Sequence, residues 1–252
     1  MKELKPRHVP VRIKRQEHPG AKPYWEEFLV PWQPSLNAIL LLHHIRENPV
    51  TADGRSVEPV VWESSCLEEV CGACSMRVNG RARQACSALV DQLDWPVTLE
   101  PFSKFPVVRD LWVDRSRMFE ALKKVKAWIP IDGTYDLGPG PRMAESLRRE
   151  AYEYSRCMTC GCCLEVCPQV NSRSEFMGAA SMAQVVLFNA HPTGAMNAEE
   201  RLESVMGKGG INDCGNAQNC VRACPKDIPL TRAIADLGRQ VTKQGIKDLL
   251  RD

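Results

Sequence analysis

The residues of this chain that could do chemistry are its twelve cysteines, which are grouped along the sequence. A chain made and kept in the cytoplasm does not usually hold its cysteines as disulfides, so metal binding or redox chemistry is the better hypothesis. Several thiolates close together are also what an inorganic centre with many sulfur ligands needs. The three groups are Cys66, Cys71, Cys74 and Cys86; Cys157, Cys160, Cys162, Cys163 and Cys167; and Cys214, Cys220 and Cys224.

The first group lies in the stretch CLEEVCGACSMRVNGRARQAC, residues 66–86. A C-x₄-C-x₂-C loop with a fourth cysteine further along is typical of a plant-type [2Fe–2S] cluster, and predicts one on all four cysteines. Gly72 lets the backbone approach the sulfurs, and the hairpin signal Asn79-Gly80 predicts a turn that brings Cys86 back to the site. The alternative is a structural zinc site with four cysteines, which more often uses paired C-x₂-C motifs.

The second group has the spacing C-x₂-C-x₂-C-x₃-C-P in CMTCGCCLEVCP, residues 157–168. This is the run of bacterial ferredoxins, in which the fourth cysteine binds the other cluster of a pair. The third group, DCGNAQNCVRACP at 213–225, supplies the partner run. Exchange of the two last cysteines then predicts a [4Fe–4S] cluster on four residues: Cys157, Cys160, Cys163 and Cys224.

The remaining cysteines of the two runs predict a second, smaller centre. Its ligands would be Cys167, Cys214 and Cys220, because Ala217 stands where the fourth cysteine is expected. A cubane without a thiolate at one corner readily loses that iron, so the pattern predicts [3Fe–4S]. We expect the Ala217 methyl group to keep that corner small, apolar and dry. Cys162 fits no ligand position and is predicted to be a small buried hydrophobic residue.

The elements around these groups differ between the two halves of the chain. Short β-rich runs, VPVRIKRQ, YWEEFLVP and PVTLEPF, surround one helix in SLNAILLLHHIREN, with Ser35 as its predicted N-cap and Pro49 as its stop. After about residue 114 the apolar spacing is helical, apart from a Pro/Gly-rich connector at 129–143. The sequence therefore predicts a sheet domain at 1–113 and a helical domain at 114–252.

Composition limits the possible functions. The net charge of +2 gives no basic patch for nucleic acid, and the longest apolar run, AILLL, is far too short to cross a bilayer. The start of the chain has no signal-peptide pattern, so we expect a soluble cytoplasmic protein. Without a phosphate-binding loop or a nucleophile–base pair, no catalytic residue is predicted in this chain.

One plant-type motif followed by a ferredoxin pair with one ligand missing resembles the iron–sulfur subunit of succinate dehydrogenase and fumarate reductase, respiratory complex II. PVVRDLWVDRSRMF, WIPIDGTYDLGPGPRM and HPTGAMNAEERL extend the resemblance over nearly the whole chain, which is most similar to the succinate:menaquinone type. The resemblance implies an α+β fold. A β-grasp domain of the plant-type ferredoxin kind would precede an all-α domain similar to bacterial ferredoxins.

The resemblance also implies partners. In the family, this subunit lies peripherally on the cytoplasmic face of the membrane, between an FAD-containing flavoprotein and a membrane-anchor cytochrome b. Electrons from succinate pass through [2Fe–2S], [4Fe–4S] and [3Fe–4S] to the anchor and quinone. The N-terminal domain would contact the flavoprotein and the helical domain the anchor, with Pro168 and the three-iron centre nearest the membrane.

Two positions depart from the ubiquinone-linked members of this family. Those members carry a Trp shortly after the first Cys-Pro and a His after the cysteine that matches Cys214, whereas this chain has Ser172 and Gly215. The departures favour menaquinone, bound largely in a haem b-containing anchor. The sequence leaves open whether the complex runs as a quinol:fumarate reductase, and a free-standing multi-cluster ferredoxin is a further alternative.

Overall fold

The computed structural model describes residues 8–130 and 141–251, which form two compact units. The first unit extends to Arg115 and also contains Cys160–Glu165. The second unit comprises the described parts of Ser116–Thr159 and of the chain from Val166 onward. Most of the connector predicted at 129–143 lies outside the described residues.

The strands of the first unit are β1 His8–Arg15, β2 Tyr24–Pro31, β3 Ser75–Val78, β4 Arg81–Gln84, β5 Val97–Glu100, β6 Val107–Arg109 and β7 Trp112–Val113. The first five form a mixed sheet with the strand order β2-β1-β5-β3-β4. The central pair β1 and β5 is parallel, and the other neighbouring strands are antiparallel, which is the β-grasp arrangement. A two-stranded ribbon, β6-β7, follows the sheet.

Helix α1, Ala38–Glu47, belongs to the same core as the sheet. Its buried residues recur at helical spacing, so one face of the helix is apolar. The prediction that Ser35 caps this helix was wrong. Asn37 is the N-cap, and its side chain accepts a 2.9 Å hydrogen bond from the Leu40 N–H, whereas Ser35 has a left-handed backbone with φ 64°.

The predicted hairpin is present between β3 and β4, with Ser75 paired to Gln84 and Val78 to Arg81. Its turn residues Asn79 and Gly80 have φ values of 47° and 74°. Positive φ at both central residues is what the type I′ turn of a two-residue hairpin loop requires. The two strands are only four residues long. The residues before β3 and those after β4 therefore lie close together at the open end of the hairpin.

The short helix α4, Cys162–Glu165, packs with the sheet unit, although the sequence predicts that this segment belongs to the helical domain. The buried carboxylate of Glu165 holds it there. It accepts hydrogen bonds from the Ser103 N–H at 3.0 Å, the Ser103 hydroxyl at 2.7 Å and the Lys104 N–H at 3.1 Å. Three donors on one carboxylate fix α4 firmly.

The second unit is helical, and its core includes Met182, Val185, Val205 and Leu237. None of the helices in the described part of the chain combines the length and the apolar character that crossing a membrane requires. The helices of this unit are α2 Ser116–Lys124, α3 Glu145–Ser155, α5 Ala179–Ala190, α6 Ala198–Met206, α7 Asn219–Arg222 and α8 Leu230–Arg251.

Arg201 on α6 is fully buried and holds together separate parts of the second unit. Its guanidinium donates to the carbonyl oxygens of Gly194 at 2.6 Å, Trp128 at 2.7 Å and Lys126 at 3.0 Å, and to Asn189 Oδ1 at 3.2 Å. A lysine ammonium cannot reproduce this planar set of donors.

We therefore expect Arg201→Lys to lower the free energy of unfolding by about 1–3 kcal/mol, because carbonyl groups lose their donors in a buried site. Urea unfolding of the purified subunit measures this loss. The matched control is Arg149→Lys on α3, where the arginine is 77% exposed and pairs with Glu145, and there we expect a loss below about 1 kcal/mol. Equal losses in the two variants would contradict the role of Arg201.

Candidate metal centres

The loop at 66–73 aims backbone N–H groups at two cysteine sulfurs. Cys66 Sγ accepts from the N–H groups of Glu68, Val70 and Cys71 at 3.4, 3.3 and 3.3 Å. Cys71 Sγ accepts from the Cys66 and Ala73 N–H groups at 3.5 and 3.4 Å. These donors lower the pKa of the Cys66 thiol to about 7, with the Glu68 N–H as the largest contribution. The loop is therefore arranged to hold thiolates.

This loop curls because three of its residues have a left-handed backbone, with φ of 61° at Leu67, 55° at Glu69 and 72° at Gly72. Concave runs of N–H groups made in this way bind anions, including the sulfurs of iron–sulfur clusters. The Glu69 carboxylate accepts a 2.6 Å hydrogen bond from the Ser87 hydroxyl. That bond ties the loop to the residue that follows Cys86.

Cys74 and Cys86 stand at the open end of the β3–β4 hairpin, and both are buried. Their thiols are in hydrogen-bonding contact, and the Ala85 N–H donates to the Cys74 carbonyl at 3.1 Å. Burial is the main reason why the pKa of the Cys74 thiol is raised to about 12. A buried thiol of this kind becomes a ligand only when a metal replaces its proton.

The cysteines of the second group are divided between the two units. Cys160 and Cys163 lie in the first unit, at the start of α4, where Gly161 has a φ of 87°. The pKa of the Cys160 thiol is lowered to about 7, chiefly by a hydrogen bond from Cys162. Cys157 follows α3 and Cys224 follows α7, both in the second unit.

Within the second unit, Cys167, Cys214 and Cys220 line one pocket, and Ala217 lines it with them. The pocket encloses about 390 Å³ that protein atoms leave free, part of it open to solvent. Burial, with the other two thiols as further causes, raises the pKa of Cys220. The donor set is three sulfurs with a methyl group in the fourth place, which fits a centre with three protein ligands.

The expectation of a dry corner at Ala217 is wrong for this chain alone. Ala217 is exposed, and so are Gly215, Asn216 and Gln218 beside it. The loop stands out because Asn216 and Gln218 have left-handed φ values of 50° and 58°, which turn the chain on both sides of the alanine. The loop that carries Ala217 is therefore open to solvent in the isolated chain.

The described residues contain no group of three or more His, Cys, Asp or Glu side chains placed to hold a single metal ion.

The chain is similar over most of its length to known iron–sulfur proteins. The chain is 63% identical over 236 residues to the succinate dehydrogenase iron–sulfur subunit of Bacillus subtilis, covering 94% of this chain and 93% of that protein. The chain belongs to the family of succinate dehydrogenase and fumarate reductase iron–sulfur subunits. It is 30% identical to the fumarate reductase iron–sulfur subunit of Wolinella succinogenes, over 93% of this chain and 98% of that one.

Two domain models match the chain in the order expected for this family. A 2Fe-2S iron-sulfur cluster binding domain matches residues 10–120, and a 4Fe-4S dicluster domain matches residues 153–228. A chain of the Mycobacterium smegmatis Sdh1 complex in the apo form has the same fold, with a TM-score of 0.74 and 21% identity, over 95% of this chain and 98% of that chain. The predicted family and fold class are thereby confirmed.

Sequence reasoning missed several residues that position the sites of this family member. Arg115 donates to the Gly72 carbonyl at 2.8 Å and to Glu63 at 2.8 Å, which braces the cluster loop. Glu165 anchors α4, and Gln84 lies between buried thiols. No spacing rule includes these residues, because each has a partner at least 43 positions away in the chain.

Proposed function

We propose that this chain is the electron-transfer subunit of a succinate:quinone oxidoreductase. The observation that carries the proposal is a pocket lined by three cysteines and Ala217, in a chain 63% identical to a succinate dehydrogenase iron–sulfur subunit. When bound, the [2Fe–2S], [4Fe–4S] and [3Fe–4S] clusters supply one-electron carriers. The chain itself holds and tunes them and has no catalytic residue of its own.

The cysteines divide among the clusters as their spacing indicates. The [2Fe–2S] cluster has Cys66 and Cys71 on the loop of N–H donors and Cys74 and Cys86 at the hairpin end. Those donors stabilise negative charge on the sulfurs and so tune the reduction potential. The full assignment is Cys66, Cys71, Cys74 and Cys86 for [2Fe–2S]; Cys157, Cys160, Cys163 and Cys224 for [4Fe–4S]; and Cys167, Cys214 and Cys220 for [3Fe–4S].

Two exposed loops mark where electrons enter and leave the chain. At the [2Fe–2S] loop, Cys71 is exposed, and Leu67 and Val70 beside it are 48% and 60% exposed. Apolar side chains exposed around a redox centre favour docking of a protein partner, here the FAD-containing flavoprotein. The exposed loop at Ala217 is the corresponding place for the membrane-anchor cytochrome b. With the anchor bound there, the chain would lie peripherally at the membrane, and we propose that it lies on the cytoplasmic face.

The quinone is menaquinone, bound through the haem b-containing anchor. Gly215 supports this, because glycine offers no side chain to a quinone beside the three-iron site, and the end of the flexible Gln169 side chain lies 2.4 Å from where a Cβ atom would be. The Gln169 side chain thus occupies the space that a larger residue at 215 would need beside the three-iron site. A polar side chain that reached a quinone from position 215 would first have to displace Gln169.

The same subunit could work in a quinol:fumarate reductase, as in the Wolinella succinogenes relative. The higher identity to the Bacillus subtilis succinate dehydrogenase subunit, 63% against 30%, favours succinate oxidation. The rates of succinate oxidation and fumarate reduction by the intact complex, measured with the same quinone pool, decide between the two directions.

Electron paramagnetic resonance of the purified complex during titration with succinate tests the proposed function. We expect one signal from the oxidised complex, due to the three-iron centre, which disappears on reduction while signals of the other two clusters develop. Zinc in place of iron, or a diffusing monomer without a flavoprotein, would overturn the proposal. A complex that reacts only with ubiquinone and contains no haem would overturn the menaquinone assignment alone.

A further inference from the structure

Arg115, two residues after β7, contacts the loop that carries the first two cysteines. Its Nη1 donates to the Gly72 carbonyl oxygen at 2.8 Å, and its Nη2 donates to Glu63 Oε2 at 2.8 Å. The Arg115 side chain is only 16% exposed and that of Glu63 is 36% exposed. All three residues belong to the first unit. A largely buried cation is therefore held against the loop at 66–73.

The peptide group between Gly72 and Ala73 connects Arg115 to a cysteine sulfur. Its carbonyl oxygen accepts from Arg115 and also from the Ser75 hydroxyl, at 2.6 Å. Its N–H group, on Ala73, donates to Cys71 Sγ at 3.4 Å. Because a peptide group is planar, donors that fix the direction of its oxygen also fix the direction of its N–H group.

The contact with Cys71 does not depend on a thiol proton. The sulfur is the acceptor, so the hydrogen bond from the Ala73 N–H remains when the thiolate binds a metal, and a negatively charged acceptor strengthens it. Donors on the Gly72 carbonyl polarise the peptide group and make its N–H a stronger donor. The charge on Arg115 therefore acts on the Cys71 sulfur through this peptide group.

Attachment of the loop does not by itself explain a cation at position 115. The Ser75 hydroxyl already holds the Gly72 carbonyl, and the hydrogen bond from Ser87 to Glu69 is a further attachment of the loop. A neutral amide side chain would donate to the same carbonyl without the cost of desolvating a charge. Loop attachment therefore accounts for the hydrogen bond of Arg115 but not for its charge.

We propose that Arg115 is a positioning residue that raises the reduction potential of the [2Fe–2S] cluster through the peptide group between Gly72 and Ala73. The proposal rests on the proposed function, which makes Cys71 a ligand of that cluster. Reduction adds negative charge to the cluster and its sulfurs. A stronger N–H donor on the Cys71 sulfur stabilises that charge, and hydrogen bonds to the sulfurs are among the factors that set the potential.

Redox titration of the purified complex, followed by electron paramagnetic resonance, tests the role of Arg115. In Arg115→Gln we expect reduction of the [2Fe–2S] cluster to be about tenfold less favourable, which is about 59 mV for one electron. Arg115→Lys keeps the charge and a donor and should retain most of the wild-type potential. Ser75→Ala removes the uncharged donor from the same carbonyl and should shift the potential in the same direction, by a smaller amount.

The matched control is Arg83→Gln on β4. Arg83 also donates to a backbone carbonyl, that of Ser87, at 3.1 Å. The N–H of that peptide group, on Ala88, donates to the Ala85 carbonyl at 3.2 Å and not to a sulfur. The control removes the same charge from the same unit, and it should shift the potential of the [2Fe–2S] cluster much less than Arg115→Gln does.

Three results would overturn the proposal: a wild-type potential in Arg115→Gln, equal shifts in Arg115→Gln and Arg115→Lys, or equal shifts in Arg115→Gln and Arg83→Gln. If Arg115→Gln does not assemble the cluster, Ser75→Ala decides, and an unchanged potential in that variant would overturn the role of the peptide group. Absence of the [2Fe–2S] signal from the wild-type complex would instead overturn the proposed function.

Discussion

Ala217→Cys is expected to convert the three-iron centre into a [4Fe–4S] cluster and to abolish the signal of the oxidised complex. Ala217 lines the same pocket as Cys167, Cys214 and Cys220, so a thiolate there supplies the missing fourth ligand. A change of cluster type changes the reduction potential, and each fall of about 59 mV makes reduction about tenfold less favourable. We expect succinate-dependent quinone reduction to fall at least about tenfold.

Ala217→Ser is the matched control, because its hydroxyl has nearly the size of the thiol but stays protonated at neutral pH. It should keep the three-iron signal and most of the quinone reduction. Iron analysis of the purified complex measures the difference directly, since the cysteine variant should gain one iron per chain. An unchanged oxidised signal and iron content in Ala217→Cys would show that the pocket is not the three-iron site.

Arg15→Met is expected to lower the free energy of unfolding of the subunit by about 3–5 kcal/mol. Arg15 follows Val9, Val11 and Ile13 on the buried face of β1. Its guanidinium donates to Asp110 Oδ1 at 2.9 Å, to Glu26 Oε2 at 2.6 Å and to the Glu58 carbonyl at 3.0 Å. Removal of the cation leaves two buried carboxylates without a counter-charge.

Arg12→Met, on the opposite face of the same strand, is the control for Arg15→Met. Arg12 pairs with Glu27 at 3.0 Å, with the two side chains 41% and 62% exposed. Exposed pairs of this kind contribute at most about 1 kcal/mol. Urea unfolding of the two variants measures the difference, and losses of equal size would show that the buried network does not stabilise the unit.

Features set by neighbouring residues could be predicted from the sequence. The hairpin at Asn79-Gly80 is one example, because its turn conformation is a property of the two residues themselves. Strand β2 is another, because the β-rich run YWEEFLVP coincides with the strand Tyr24–Pro31. The cap of α1 was misplaced by two residues, from Asn37 to Ser35, because both residue types can cap and only the backbone path decides between them.

Features that join distant segments could not be predicted. Arg15 looks like a surface charge in VPVRIKRQ, and partners such as Glu26 and Asp110, 11 and 95 positions away, make its burial favourable. The packing of α4 against the sheet unit likewise depends on Ser103 and Lys104, about 60 positions from Glu165. The exposure of the Ala217 loop was also decided by the fold.

The sequence by itself determined the family, the cofactors and the three cysteine groups, since ligand spacing is local and an iron–sulfur cluster accepts few spacings. Only the tertiary structure decided which loops face outward and where Gln84 and Glu165 make their contacts. The physical reason is that burial and hydrogen bonding are properties of the folded surface and interior. They depend on which distant residues meet, and no single stretch of the chain encodes that.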